Sequence, residues 1–173
     1  AFLLGEELQF LDKHGRPKYH PDVWQMFLRF VDFWEEYNPT LIETEVHLFS
    51  DELKVAGTCD LVLEIDGELW IVDLKTSNHL QTTYDLQTAV YGQMYKECYG
   101  KEADRYGILW LKSNKRKAAK GKMQGKGWEM YESSRSQEEN LDIFLTVKKL
   151  FDLENPKHKP VFTEFRTQAK RKL

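Results

Sequence analysis

Residues 54–76 read Lys54-Val55-Ala56-Gly57-Thr58-Cys59-Asp60-Leu61-Val62-Leu63-Glu64-Ile65-Asp66-Gly67-Glu68-Leu69-Trp70-Ile71-Val72-Asp73-Leu74-Lys75-Thr76, and this stretch decides the fold. Asp66-Gly67 between two apolar runs is the signature of a two-residue type I′ hairpin turn. With that pair as the loop, Ile65 lies opposite Glu68, and stepping back along the ladder Asp60 lies opposite Asp73. Two like charges facing each other across a sheet destabilise it, unless a cation such as a divalent metal sits between them. Lys75, two residues beyond Asp73, projects from the same face. Leu69 to Leu74 is apolar on both faces, which predicts a central strand covered on each side.

The elements outward from this hairpin follow from periodicity and breakers. Residues 1–12 read as a short helix or helix end, and His14-Gly15-Arg16-Pro17 as a loop. Pro21 opens a helix along which Val23, Trp24, Phe27, Phe30, Val31 and Trp34 recur at helical spacing, ending before Asn38-Pro39. Residues 41–49 alternate as a strand, with strands at 54–65 and 68–76 after it. Residues 84–99 form a helix that Gly100 terminates. Strands follow at 105–111 and 128–132. Ser136-Gln137-Glu138-Glu139 is a capping box opening a helix with an apolar stripe from Leu141 through Phe144, Leu145 and Val147 to Leu150–Leu153. The reading is α/β (α+β): one domain over 1–173 with a central mixed sheet of about five strands flanked by helices.

The 173 residues carry 41% hydrophobic and 31% charged side chains, the balance of a folded domain. No apolar run reaches the ~20 residues of a membrane span, and no signal-peptide order opens the chain. Cys59 and Cys98 read as reduced thiols of a cytoplasmic or similarly reducing intracellular setting, such as a phage-infected cell or an organelle matrix. Two cysteines cannot ligate an iron–sulfur cluster. The net charge of −3 conceals a segregation. Lys112, Lys115, Arg116, Lys117, Lys120, Lys122 and Lys126 lie in a stretch without an acid, and Arg166, Lys170, Arg171 and Lys172 crowd the last eight residues. An acidic body with basic segments suits a polyanionic partner.

Asp60 and Asp73 supply the one or two carboxylates that Mg²⁺ takes from a protein while keeping sites for water and phosphate. Lys75 beside them can position a water and stabilise developing negative charge. With the turn after Ser50 closing so that Phe49 faces Lys54, Glu43 faces Asp60 and Glu45 faces Thr58, and either adds a third carboxylate. On the following helix Gln87 and Tyr91 share a face at i, i+4, continued by Tyr84 and Met94. Gln87 is placed to orient Lys75 or to hold a phosphate, while Leu86, Val90 and Met94 read as core. Thr76 and Ser77 can donate to phosphate. His14, His20 and His79 read as loop residues, and His47 shares a face with Glu45. No CxxC, HExxH or phosphate-loop pattern is present.

Gly57-Thr58-Cys59-Asp60, then Ile71-Val72-Asp73-Leu74-Lys75-Thr76-Ser77, then Gln87-Thr88-Ala89-Val90-Tyr91 resembles the ordered motif set of the PD-(D/E)XK nuclease superfamily. It is most similar to the RecB-like exonuclease branch, whose layout phage single-domain and mitochondrial genome maintenance exonucleases share. The resemblance implies a restriction-endonuclease-like core and Asp60, Asp73 and the Leu74 backbone carbonyl as ligands to Mg²⁺ or Mn²⁺. It implies Lys75 as the catalytic lysine, with Gln87 and Tyr91 supporting it, and favours Glu45 over Glu43 as the added carboxylate. Many RecB-like members carry an upstream helix with a metal-proximal histidine. Leu3-Leu4-Gly5-Glu6-Glu7 looks like the end of that helix, with the histidine expected before Ala1.

The expected activity is metal-dependent hydrolysis of DNA phosphodiester bonds, as an exonuclease on single strands or ends, with the basic 112–126 stretch and Trp128 gripping the strand by charge and stacking. Phage or host recombination proteins are the expected protein partners. A structure-selective endonuclease and a non-catalytic DNA-binding module on the same fold are the alternatives; the intact Asp60, Asp73 and Lys75 disfavour the second.

Overall fold

The structure, a computed structural model, describes residues 2–111 and 127–156. Helix α1 (Pro21–Tyr37) is followed by strands β1 (Thr40–Ser50), β2 (Val55–Ile65) and β3 (Glu68–Lys75). Helix α2 (Tyr84–Tyr99), strands β4 (Arg105–Trp110) and β5 (Glu129–Glu132) and helix α3 (Gln137–Glu154) complete the order. The five strands form one sheet in the order β1-β2-β3-β4-β5. β3 and β4 run parallel, joined through α2, and the other neighbours are antiparallel. This is the mixed sheet with flanking helices that the element order predicts. The N-terminal segment expected as a helix is a single 3-10 turn, Phe2–Leu4.

The Asp66-Gly67 turn has φ of 52° and 82° at its two residues, as a type I′ turn requires. It sets the register Ile65↔Glu68 through Leu61↔Val72, so the ladder stops one step short of Asp60 and Asp73. β3 is central and buried on both faces. Its alternation divides the core. Trp70 and Val72 join Leu61, Leu63, Ile65 and Leu109 under Phe30 and Phe33 of α1. Ile71 joins Val46, Leu48, Cys59 and Val62 under Val90, Tyr91, Met94 and Tyr95 of α2. Each such side chain contributes roughly 1.5–3 kcal/mol by leaving water.

Local chemistry sets the helix ends. His20 caps α1 by accepting from the Asp22 N–H, and Pro21 occupies its first turn. Asn38 ends it in the left-handed region, φ 42°, just before Pro39 bars continuation. Ser136 and Glu139 form the expected capping box of α3. Its apolar stripe behaves differently from a core stripe: Leu141 and Phe144 pack on the α2-side cluster, while Leu145, Val147, Leu150, Phe151 and Leu153 are exposed.

Two expectations are corrected. First, β1 pairs with β2 two residues out of the expected register: Phe49 lies opposite Ala56, His47 opposite Thr58 and Glu43 opposite Val62. The hairpin turns through a longer 51–54 segment with Lys54 at φ 54°, so Glu43 does not face Asp60 and Glu45 does not face Thr58. Second, Trp128 is not a free stacking surface. It is 6% exposed and meets Phe33 edge-on at 5.6 Å. Beside it, the buried Arg29 donates from Nη1 to the Leu111 carbonyl (2.8 Å). Gly127 packs so closely on Arg29 that a Cβ there would lie 2.5 Å from Nε. Arg29 therefore ties both rims of residues 112–126 to α1.

Candidate active site

The ends of β2 and β3 bring the two aspartates together by different routes. Asp60 is half-buried and its Oδ2 accepts the Leu74 N–H at 2.7 Å. A carboxylate thus takes the place of the next ladder partner. The strand pleat slips here: Cys59 packs on the α2 side and Leu61 on the α1 side, although they are two residues apart and should share a face. Across from this slip Glu45 has φ 54°, a left-handed conformation rarely adopted by a non-glycine residue. Such irregularities re-aim side chains at the margins of sites.

Asp73 is 2% exposed. Lys75 Nζ stands 2.6 Å from its Oδ2, a close ion pair on that oxygen. Burial pushes the Asp73 carboxyl above its ordinary range; the Lys75 ammonium opposes this, and the Asp60 charge adds to it. A buried carboxylate with a second one near enough to bear on its charge fits a divalent cation. Among the described residues no three His, Cys, Asp or Glu side chains are grouped to hold a metal ion; the two aspartates would need backbone, water or substrate oxygens to complete a coordination shell.

Lys75 leads on to α2. Its Nζ donates to Gln87 Oε1 (2.8 Å), and Gln87 Nε2 donates to the Tyr91 hydroxyl (2.7 Å). The ammonium also lies 4.7 Å from the centre of the Tyr84 ring, a cation–π contact. Tyr91 is buried, and desolvation raises its phenol pKa against the pull of the Gln87 bond. Its ring fits because residue 57 is glycine: a Cβ there would lie 3.0 Å from Tyr91 Cε1. Burial likewise pushes the Cys59 thiol up to about 12, making it an inert filler beside Asp60, and both cysteines are free.

The site thus gathers Asp60, Asp73, Lys75, Gln87 and Tyr91, as the sequence predicts. It does not gather the rest equally. Glu43 accepts from the Tyr99 hydroxyl (3.0 Å), away from the aspartates. Glu45 is exposed, and His47 bonds Thr58 (3.0 Å). Ser77 Oγ donates to the His79 carbonyl and accepts from Tyr84 (2.8 and 3.2 Å), while Thr76 is exposed. Lys112, Lys115, Arg116, Lys117, Lys120, Lys122 and Lys126, and the basic residues from Arg166 onward, lie outside the described residues. Trp110 was not singled out from the sequence: it pairs with Lys75 across β3 and β4, and its Nε1 donates to the Ser77 carbonyl (2.7 Å). Its place two residues before the basic run was the available signal.

The family model of the PD-(D/E)XK nuclease superfamily matches residues 4–170. The chain belongs to that superfamily. A stretch of 79 residues, 46% of the chain, is 37% identical to the Gene 69 protein of Mycobacterium phage D29 and spans 29% of that protein's length. The solved structure of SSO0001 overlaps 75% of the chain and 58% of its own at 14% identity and a TM-score of 0.39. Membership makes the chain a nuclease-superfamily protein of the restriction-endonuclease-like α/β fold. Such proteins typically use divalent metals and bind DNA. No helix among the described residues is long and apolar enough to cross a membrane.

Proposed function

We propose that this chain is a Mg²⁺- or Mn²⁺-dependent deoxyribonuclease of the RecB-like branch, acting as one nuclease domain over 1–173. It works as an exonuclease on single strands or DNA ends in replication, recombination or repair. The observation that carries the reading is the convergence on Asp73: it is buried, the Asp60 charge bears on it, and Lys75 Nζ lies 2.6 Å from its Oδ2. Two carboxylates brought together out of water repel each other, and a divalent cation between them relieves that repulsion.

Asp60, Asp73 and the Leu74 carbonyl would hold the metal, with Glu45, exposed and not grouped with the aspartates, reaching it through water. Bound there, the ion supplies an acidified water and charge neutralisation for the phosphate. The chain's own residues do the rest. Lys75, fixed by Gln87 and Tyr84, orients the attacking water and stabilises charge on the phosphate oxygens. Tyr91 keeps Gln87 in the rotamer that accepts from Lys75. Thr76, Ser77, Lys112, Lys115, Arg116, Lys117, Lys120 and Lys122 contact the DNA backbone, a sequence-independent grip. The two free thiols support a reducing intracellular setting. Similarity to a phage protein supports a phage-type role beside phage or host recombination proteins.

The deciding experiment presents end-labelled single-stranded, double-stranded and covalently closed circular DNA with Mg²⁺, Mn²⁺ or EDTA. Mononucleotide release from ends, abolished by EDTA and absent on closed circles, is expected. Metal-independent cleavage, or no cleavage of any substrate, rejects the nuclease; cutting of closed circles converts it to an endonuclease.

A further inference from the structure

The start of α2 lacks a cap of its own: Thr83 has helical dihedrals and its side chain caps nothing. A polar latch instead ties this end of the helix to the turn before α3. Arg135, in the turn between β5 and α3, donates from Nη2 to the Thr82 carbonyl (3.2 Å) and to Asp85 Oδ2 (3.0 Å). Its Nε donates to Asn140 Oδ1 (2.7 Å). Ser133 Oγ donates to the same Asp85 oxygen (2.8 Å) and accepts from Asn140 Nδ2 (3.2 Å). Asp85 and Asn140 are 5% and 3% exposed, while the Arg135 side chain that joins them is half-buried.

Asp85 sits in the same helical turn as Tyr84 and Gln87, the two residues of α2 that touch Lys75. One side of that turn grips the ammonium and the other is gripped by Arg135. A helix turn moves as a unit, so the rotation that satisfies Asp85 also sets where Gln87 Oε1 lies. An apolar contact would hold the helix against the sheet over a range of rotations. The forked guanidinium, with three acceptors in fixed directions, permits one. We propose that Arg135 and Asp85 are positioning residues for the chemistry: through α2 they place Gln87 and Tyr84, and thereby the Lys75 ammonium. This rests on the reading of Lys75 as the catalytic lysine.

Two measurements test it separately from that reading. The first is single-turnover cleavage with saturating metal. Arg135→Ala should lower the cleavage rate by about tenfold or more, the scale on which misplaced groups cost rate, with DNA affinity within about twofold. Arg135→Lys, which restores the charge without the fork, should recover part of the loss. The effect should shrink in a Gln87→Ala background, because the latch acts in part through Gln87 and the losses are then not additive. An equal further loss in that background, or an unchanged rate in folded Arg135→Ala, overturns the proposal. Asp85→Asn, nearly isosteric and keeping one acceptor, carries the same test should Arg135→Ala fail to fold. The second measurement is amide hydrogen exchange over residues 85–88. Exchange there should quicken in Arg135→Ala or Asp85→Asn while β3 stays protected, and unchanged exchange overturns the latch whether or not the protein cleaves DNA. A latch that holds in exchange, in a protein that cuts nothing with any metal, rejects the nuclease reading and with it the role assigned to the latch.

Discussion

The Lys75 ammonium lies 2.6 Å from Asp73 Oδ2 and 2.8 Å from Gln87 Oε1, so a single side chain links the end of β3 to α2. It is half-buried, and Tyr84 covers it with a ring face. Lys75→Ala should abolish metal-dependent cleavage, a loss of at least about 10²-fold of the kind seen when a charge-stabilising donor is removed, and leave DNA affinity largely intact. Lys75→Arg should not rescue it, because a planar guanidinium cannot occupy the ammonium's position. Turnover of Lys75→Ala at the unmodified rate would remove the residue from its role.

Asp73 gives a prediction with a definite sign. Its carboxyl titrates above the ordinary value of 3.8, chiefly because it is buried. The folded state therefore holds its proton more tightly than the unfolded chain does. Asp73's own contribution to metal-free stability is therefore greatest below that ordinary value and is lost as pH rises through the window up to the raised one. Asp73→Asn should abolish this decline and melt higher than the unmodified protein at neutral pH in EDTA. It should also lose the stabilisation that millimolar Mn²⁺ confers on the unmodified protein, about 2.7 kcal/mol at a hundredfold excess over Kd. Thermal melts across pH, with and without metal, check both parts.

Gly57 predicts a steric effect on the relay. Gly57→Ala puts a methyl 3.0 Å from Tyr91 Cε1, so the ring must retreat and its bond from Gln87 lengthens. The expected cost is about 1–3 kcal/mol of stability with a fall in cleavage rate. Gly57→Ala paired with Tyr91→Phe should lose little more than Gly57→Ala alone, which a double-mutant cycle measures.

Glu45 separates strain from ligation. Replacing it by glycine, which accepts φ 54° at no steric cost, should stabilise the metal-free protein by about 1 kcal/mol. If Glu45 ligates, the same variant should bind Mn²⁺ more weakly by calorimetry. Unchanged metal affinity would confine Glu45 to the backbone geometry of the sheet.

Trp128→Ala should act through the core. The cost should be about 3–5 kcal/mol of stability, with DNA affinity unchanged in the protein that remains folded. Binding titrations below the lowered melting temperature test this.

What could be read from the chain differs by the range of the interaction that sets it. Asp66-Gly67 demands its own turn, so the β2–β3 register followed from two residues. The helix caps at Ser136 and Gly100 are equally local. β1 resisted because its offset depends on a four-residue turn, 51–54, that no glycine announces. Trp128 flanks a basic run and looks like a nucleic-acid aromatic until Phe33, nearly a hundred positions earlier in the chain, closes over it. The Asp85–Arg135 pair was invisible for the same reason: nothing local to either residue marks its partner. The core of the site was legible because its chemistry is packed into one hairpin and the helix after it.

Arg29 has a consequence for how such a protein can diversify. The Leu111 carbonyl accepts from the buried Arg29 guanidinium and Gly127 packs against it, so the two described ends flanking 112–126 meet at one residue of α1. Doubling the length of such a span costs only about 0.6 kcal/mol in closure entropy. On the proposed reading, changes of charge or length in the 112–126 stretch would alter the grip on nucleic acid while Asp60, Asp73 and Lys75 stay in place.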